Sequence, residues 1–83
     1  MHPEATAREL GSRVRQAREA LGLRQDELAL AAGVSTRLVH QIEIGKATTR
    51  LDGLVCVLAA LGLELEVVER ARSRGGPQPE RPR

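Results

Sequence analysis

The sequence contains no tryptophan, tyrosine or phenylalanine, and this absence limits what the protein can bind. Proteins hold single-stranded nucleic acids largely by stacking bases on aromatic side chains, so we do not expect single-strand binding. A lone cysteine, Cys56, excludes an internal disulfide, and with only His2 and His40 besides it leaves too few ligands for structural zinc. We expect no metal or cofactor, and we expect Cys56 to be a small apolar filler or a half-exposed bystander rather than a nucleophile.

Long apolar runs are also missing. No stretch has transmembrane length, and seven charged side chains interrupt the first twenty residues, so neither a membrane span nor a signal peptide is expected. The chain also lacks a nucleophile paired with a base and a glycine-rich phosphate loop, so we do not expect an enzyme. We expect a cytoplasmic protein of one small domain whose core is marginal without oligomerisation.

The net charge of +2 hides an uneven distribution along the chain. Residues 1 to 50 hold eight basic and six acidic residues, residues 51 to 70 hold one and four, and residues 71 to 83 hold four and one. Basic charge therefore lies in the N-terminal part and at the C-terminal end, with an acidic stretch between. This distribution suits a phosphate-facing surface, although ordinary solvated charge would also produce it.

The stretch QDELALAAGVSTRLVHQIEI, residues 25 to 44, predicts two short helices separated by a turn at Gly33. Ser35 is a favourable N-cap, because its hydroxyl can accept a hydrogen bond from a free backbone N–H, so the second helix should begin at Thr36. The spacing is that of a helix-turn-helix, with a plain helical hairpin as the alternative. The positions expected to face the core are Leu28, Ala29, Ala32, Val39 and Ile42.

A first helix is predicted over about residues 7 to 21, after a frayed N-terminus at residues 1 to 6. Thr6 and Glu9 form a capping-box pattern at its start. Apolar residues then recur at helical spacing, at Leu10, Val14, Ala17 and Leu21.

A fourth helix is predicted over about residues 50 to 61, with Thr49 and Asp52 as its capping pair. Its inward stripe is expected to contain Leu51, Leu54, Val55, Leu58 and Leu61. A glycine follows each of the four predicted helices and is expected to end it; these are Gly22, Gly33, Gly45 and Gly62.

After the fourth helix the apolar period changes from helical spacing to alternation. Leu63, Leu65 and Val67 alternate with glutamates, which predicts a strand over residues 62 to 70. A single strand has no partner within this chain, so we expect it to pair with the same strand of a second subunit. The alternative is that a helix continues through these residues.

The last residues, 71 to 83, contain four arginines, three prolines and two adjacent glycines. Such a composition cannot bury enough apolar surface to fold, so we expect a disordered basic tail. The tail would add non-specific attraction to phosphate or would only increase solubility.

The segment LGLRQDELALAAGVSTRLVHQIEIGK resembles the core of the helix-turn-helix family of phage-type repressors and Cro proteins. The resemblance covers about residues 7 to 61 and implies an all-α, four- to five-helix, lambda-repressor-like DNA-binding domain. A short acidic and apolar strand after the fourth helix is similar to the HipB-type antitoxins of toxin–antitoxin operons. In that subfamily the strands of two subunits close a dimer, the dimer represses its own operon, and a kinase-like HipA toxin binds its outer surfaces.

The family places its third helix in the major groove of double-stranded DNA, and this implies roles for individual residues here. The positions that match base-reading residues are Thr36, Arg37, Leu38 and Gln41. Arg37 is expected to pair bidentately with guanine, and Gln41 to read adenine or hold the backbone. The positions that match contacts to the DNA backbone are Gln25, His40, Lys46, Thr48, Thr49 and Arg50.

Arg18 and Glu43 match positions that form a partly buried ion pair between the first and third helices of the family. Two positions depart from the family pattern. Ile44 stands where asparagine is usual before Gly-Lys, and Arg24 stands where threonine or serine is usual. The departure at Ile44 removes a polar contact at the helix end.

The resemblance therefore implies a homodimeric repressor that binds an inverted-repeat operator and associates with the nucleoid. Within this class an autoregulating antitoxin with a HipA-like partner is favoured over a phage or mobile-element repressor without a toxin. A different alternative is a protein-interaction module that has lost DNA binding. The combination of Arg37, Gln41, Gln25 and Lys46 argues against that alternative, because a module without DNA binding does not need this polar set.

Overall fold

The computed structural model describes residues 2–70, and this part of the chain folds into four helices. They are α1 (Pro3–Ala20), α2 (Gln25–Ala32), α3 (Thr36–Glu43) and α4 (Leu51–Ala60). α3 packs against α1, α2 and α4, and α4 also packs against α2. The prediction of an all-helical fold is confirmed for residues 2–70, whereas the predicted basic tail lies outside them.

The hydrophobic core draws on all four helices. The buried apolar side chains are Val14, Leu28, Ala29, Val39, Ile42, Leu54, Val57, Leu58 and Leu61. The predicted inward positions of α2 and α3 are confirmed, with Ala32 partly buried at the edge.

The predicted inward stripe of α4 is partly wrong. Leu51 and Val55 are exposed, and Val57, which was not predicted, is fully buried. The buried face is instead centred on Leu54 and Val57, because α4 turns the side that carries Gly53 toward α3. On α1 the prediction of an inward Leu21 is also wrong, since this residue caps the helix and is exposed.

The start of α1 also differs from the prediction. The helix begins at Pro3, and residues 3 to 6 form its first turn, in which the Thr6 N–H donates to the His2 carbonyl over 3.0 Å. The predicted capping box of Thr6 and Glu9 is therefore wrong. Proline is favourable at the first helical position, because the N–H that it lacks would have no partner there.

The turn between α2 and α3 follows the prediction. Gly33 adopts a left-handed conformation with φ of 73°, and the Val34 N–H donates to the Ala29 carbonyl over 3.0 Å. Glycine is favoured there because it has no Cβ to resist a positive φ. Ser35 is the N-cap of α3, and its hydroxyl accepts from the Leu38 N–H over 3.0 Å.

The predicted cap of α4 is wrong. The N-cap is Arg50, and the Thr49 hydroxyl donates instead to the Lys46 carbonyl over 2.7 Å. Asp52 accepts from the Gly53 N–H over 2.6 Å, so its carboxylate lies at the start of the helix, where negative charge is favourable.

The residues after α4 are not helical, so the alternative of a continuing helix is wrong. The Leu63 N–H donates to the Leu58 carbonyl over 2.8 Å and closes the end of α4. Residues 63 to 70 have no regular secondary structure and are exposed. A single extended segment has no neighbouring strand with which to form backbone hydrogen bonds. Pairing of this segment with the same segment of a second copy therefore stays a prediction.

Candidate nucleic-acid interface

Arg18 of α1 and Glu43 of α3 form a bidentate ion pair behind the helix-turn-helix. The Arg18 Nε donates to Glu43 Oε2 over 2.7 Å and Nη2 donates to Oε1 over 3.0 Å. The two side chains are 12% and 4% exposed, respectively. Arg18 Nη1 also donates to the Leu23 carbonyl over 2.7 Å. One guanidinium therefore holds α1, the α1–α2 turn and α3 together.

Gln25 brings α2 into the same network. Its Nε2 donates to Glu43 Oε1 over 3.1 Å, and its second amide hydrogen stays available for another acceptor. Burial raises the pKa of Glu43, but the hydrogen bonds from Arg18 and Gln25 and the charge of Arg18 outweigh this effect and hold the pKa below its ordinary value. The carboxylate is therefore ionised at neutral pH and fixes the N-terminus of α2 relative to α3.

The outward side of α3 is polar and basic. Thr36, Arg37 and His40 are exposed, and Gln41 is half-buried beside them. Val39 and Ile42 on the opposite side are buried in the core. At 100° per residue, Arg37 and Gln41 lie one turn apart on the side that faces away from the core.

Leu38 lies on a different side of α3 from these polar residues. It is half-buried against the core, and one of its methyl groups occupies the space that a Cβ on Gly53 would need. The structure therefore brings Thr36, Arg37 and Gln41 together but places Leu38 in the contact between α3 and α4.

The loop between α3 and α4 extends the polar surface. Lys46, Thr48 and Arg50 are exposed, and Thr49 is half-buried. Arg50 pairs with Asp52 over 2.8 Å, which lowers the pKa of that carboxyl, whereas neither Arg37 nor Lys46 forms an ion pair within residues 2–70. Arg37 and Lys46 therefore carry the positive charge that is free to meet a phosphate or a base.

Comparison with known proteins shows which family this helical domain resembles. The helix-turn-helix family matches residues 14–68, from within α1 to the segment after α4. The chain is also 36% identical over 69 residues to y4mF, an uncharacterized HTH-type transcriptional regulator of Sinorhizobium fredii (strain NBRC 101917 / NGR234). This alignment covers 83% of the chain and 91% of the relative. The chain belongs to the helix-turn-helix family.

The structure shows one feature of this helix-turn-helix unit that was not predicted, at Gly11, and it shows the surroundings of Ile44, which departs from the family pattern. Gly11 lies where α1 meets the end of α3, and a Cβ there would overlap the Ile42 carbonyl oxygen. Ile44, at the C-cap of α3, is exposed close to the polar side of that helix. The only sequence signal for Gly11 is its position inside a helical pattern, where glycine is unfavourable relative to alanine.

The residues predicted for dimerisation follow α4, and Leu63 and Leu65 lie beside α1. Leu63, Leu65 and Val67 are exposed in the single chain, and the segment borders a groove of about 940 Å³ against α1. Cys56 is exposed on α4. Within residues 2–70, no helix is both long and apolar enough to span a membrane.

Proposed function

We propose that the chain is a sequence-specific transcriptional repressor that binds double-stranded DNA as a homodimer. The observation that carries the proposal is the polar side of α3. Arg37 and Gln41 project there from a helix whose other side is fixed by the core and by Glu43. A rigid helix with unengaged donors on one side suits the major groove, where base edges present acceptors.

Individual residues take different parts in this proposal. Arg37 is suited to pair with guanine O6 and N7 through two parallel hydrogen bonds, and Gln41 to read adenine. Thr36 lies beside them at the start of α3. Base reading by Leu38 has weaker support, because its side chain packs against α4.

Contacts to the DNA backbone would come from both sides of α3. Gln25 would use its second amide hydrogen together with the N-terminus of α2. On the other side the contacts would come from the exposed or half-exposed residues His40, Lys46, Thr48, Thr49 and Arg50. To contact a phosphate, Arg50 would have to break or share its ion pair with Asp52. Breaking this pair costs little free energy, because both side chains are exposed to solvent.

The dimer would bind an inverted repeat. Two copies of α3 related by a twofold axis reach successive major-groove faces, so the half-sites should lie about one helical turn, or a multiple of it, apart. Pairing of residues 63 to 67 between the copies would hold the two reading helices at that spacing. Repression would follow from steric exclusion of the polymerase at this operator, and the protein would associate with the nucleoid.

Within this class we favour an autoregulating antitoxin whose partner is a HipA-like kinase toxin. The support is the similarity of the acidic and apolar segment after α4 to the end of HipB-type proteins. The alternative is a phage or mobile-element repressor without a toxin, and a toxin gene beside the coding sequence would distinguish the two.

The test is binding of the purified chain to the DNA just upstream of its own gene, compared with scrambled DNA at two salt concentrations. We expect selective binding with two chains per inverted repeat. Binding that is indifferent to sequence and abolished by moderate salt would contradict the proposal. It would favour instead an interaction module that has kept the fold without the function.

A further inference from the structure

The start of α1 lies against the loop that joins α3 to α4. A Cβ built on Gly45 would lie 2.7 Å from the Cγ and 2.9 Å from the Cα of Arg8. Gly45 has a φ of 84°, so its backbone conformation and the closeness of α1 both favour glycine there. Pro3 and Ala7 of α1 line a small groove of about 330 Å³ together with Ala47 of the loop. The first turns of α1 and this loop therefore form one continuous surface.

This contact places Arg8 next to Lys46. Consecutive Cα atoms are about 3.8 Å apart, so the Cα atoms of Arg8 and Lys46 lie within about 9 Å of each other. Both side chains are exposed, and neither forms an ion pair within residues 2–70, although Glu4 lies one turn before Arg8. Two cations in such a position repel each other, and an anion bound between them removes that repulsion.

The basic residues of α1 lie on two different sides of the helix. At 100° per residue, Arg8 is about 60° from Gly11, which contacts the end of α3, so Arg8 lies on the side that faces α3. Arg15 lies on this side as well, but it is paired with Glu19 over 3.2 Å. Arg13 is about 140° from Arg8 and lines the groove beside the segment after α4. Arg8 is therefore the arginine of α1 that is both beside the α3–α4 loop and without an ion pair in the described residues.

We propose that Arg8 and Lys46 bind one phosphate of the DNA backbone between them, so that the DNA interface includes α1. The inference rests on the proposed DNA binding and adds a contact from a helix that has none in the proposed function. A guanidinium offers two parallel N–H donors that match two phosphate oxygens, and an ammonium adds a point charge. Because Lys46 lies in the loop that would follow the DNA backbone, the phosphate that it meets is within reach of the Arg8 side chain.

The end of α3 offers Arg8 a second, purely structural part. The C-terminus of a helix carries partial negative charge, which a nearby cation stabilises. The carbonyls of His40, Gln41 and Ile42 already accept from backbone N–H groups, each over 3.0 Å. The Arg8 guanidinium donates no hydrogen bond to them or to any other group within residues 2–70. A structural part would therefore act through charge alone, and it would change stability rather than DNA binding.

The first experiment measures the salt dependence of DNA binding by the full chain and by Arg8→Gln, with Arg13→Gln as the matched control. Both variants remove one exposed positive charge from α1, but only Arg8 lies beside Lys46. Each phosphate contact contributes about 0.9 to the slope of the logarithm of affinity against the logarithm of salt concentration. A dimer of Arg8→Gln should therefore have a slope shallower by about 2, whereas Arg13→Gln should keep the parent slope. Arg8→Lys should also keep it, because the charge remains.

This change of slope corresponds to a measurable difference in affinity. Between about 50 and 200 mM salt the parent should lose about tenfold more affinity than Arg8→Gln. The ratio of operator affinity to scrambled-DNA affinity should be the same in both proteins, because a phosphate contact carries no base sequence.

A second experiment identifies the phosphate on the selected operator. Uncharged methylphosphonate linkages replace single phosphates of the DNA, one at a time. At one position in each half-site the replacement should weaken binding by the parent severalfold but leave the affinity of Arg8→Gln unchanged. Lys46→Gln should lose part of its sensitivity at the same position, since both side chains bind that phosphate.

Urea denaturation of the same variants separates the two parts of Arg8. We expect Arg8→Gln to unfold at the same urea concentration as Arg13→Gln. A lower midpoint in Arg8→Gln together with an unchanged salt slope overturns the inference, because Arg8 would then act only on α3. Equal flattening of the slope in Arg13→Gln also overturns it, because net charge alone would explain the effect. So does an Arg8→Gln variant that keeps the parent sensitivity at every methylphosphonate.

These outcomes are distinct from those that test the proposed function. Selective operator binding with a parent-like slope in Arg8→Gln supports the proposed function and overturns the contact from α1. Binding that is indifferent to sequence, with a slope that becomes shallower only in Arg8→Gln, supports the contact and contradicts the proposed function. A parent chain that binds no DNA overturns both.

Discussion

Gly11 of α1 lies so close to α3 that a Cβ at this position would overlap the carbonyl oxygen of Ile42. The two helices can meet at this distance only because Gly11 has no side chain. Arg18 lies seven residues later, on the same side of α1, and the close contact brings it to Glu43. Gly11 therefore contributes to the position of the ion pair that supports α3.

Gly11→Ala should destabilise the fold. Alanine is favoured over glycine within a helix by about 1 kcal/mol, but overpacking against backbone that cannot move away costs about 1 to 3 kcal/mol. Because the overlapped atoms belong to the backbone, we take the upper end of this cost, which leaves a net loss of about 2 kcal/mol in the free energy of unfolding, measured by urea denaturation. The matched control is Gly53→Ala, because the atom in its way is the methyl end of Leu38, which can change rotamer. Equal stability of Gly11→Ala and the parent would contradict the close contact.

Glu43→Gln should remove the ion pair while keeping the shape of the side chain. It leaves the largely buried guanidinium of Arg18 without its counter-charge, which should cost about 3 kcal/mol in the free energy of unfolding. The control is Glu19→Gln, which breaks the exposed pair with Arg15 and should change stability by less than about 1 kcal/mol. Similar losses in both variants would mean that burial does not strengthen the Arg18–Glu43 pair.

The same carboxylate makes stability depend on pH. The pKa of Glu43 is lower in the folded chain than its ordinary value of 4.5, so the folded state favours the ionised form. Its contribution is complete above about that value and is lost as the pH falls through the lowered folded pKa. Asp26 and Asp52, whose pKa values are lowered by Arg24 and Arg50, titrate in the same direction. The stability of Glu43→Gln should therefore fall less steeply on acidification than that of the parent, measured by thermal unfolding between neutral and strongly acidic pH.

Arg37→Lys tests base reading separately from charge. Lysine keeps the positive charge but lacks the planar fork that matches guanine, so affinity for a selected operator should fall by about 1 to 3 kcal/mol while non-specific binding persists. Arg37→Ala should lower both. Competition binding against scrambled DNA measures the two effects, and unchanged selectivity in Arg37→Lys would exclude base reading by this residue.

Ending the chain at Arg70 tests the basic tail. This truncation removes four arginines and one glutamate, and if the tail contacts phosphate the salt dependence of DNA binding should become shallower. Dimerisation should be unaffected, because residues 63 to 67, whose pairing between copies is proposed, are retained. An identical slope of the logarithm of affinity against the logarithm of salt concentration would show that the tail makes no phosphate contact.

Local signals in the sequence were sufficient to predict most of the helix ends. The Ser35 cap and the glycines after each helix act through the backbone of their immediate neighbours, so they operate wherever the helix docks. The inward sides of α2 and α3 could be read for a similar reason. On α3 the polar and apolar residues lie on opposite sides, so only one side can face a core, whereas on α2 the helix-turn-helix spacing was needed as well, because Leu30 is apolar and exposed.

Tertiary packing decided the remaining features. Apart from Asp52, α4 is apolar, so its sequence fits more than one inward side, and only docking against α2 and α3 buried Val57 and left Val55 outside. Three contacts join residues that are far apart in the sequence. They are the close approach of Gly11 to α3, the hydrogen bond from Gln25 to Glu43, and the packing of Leu38 against Gly53. Periodicity and propensity act over a few residues, whereas such contacts exist only once the helices have been brought together.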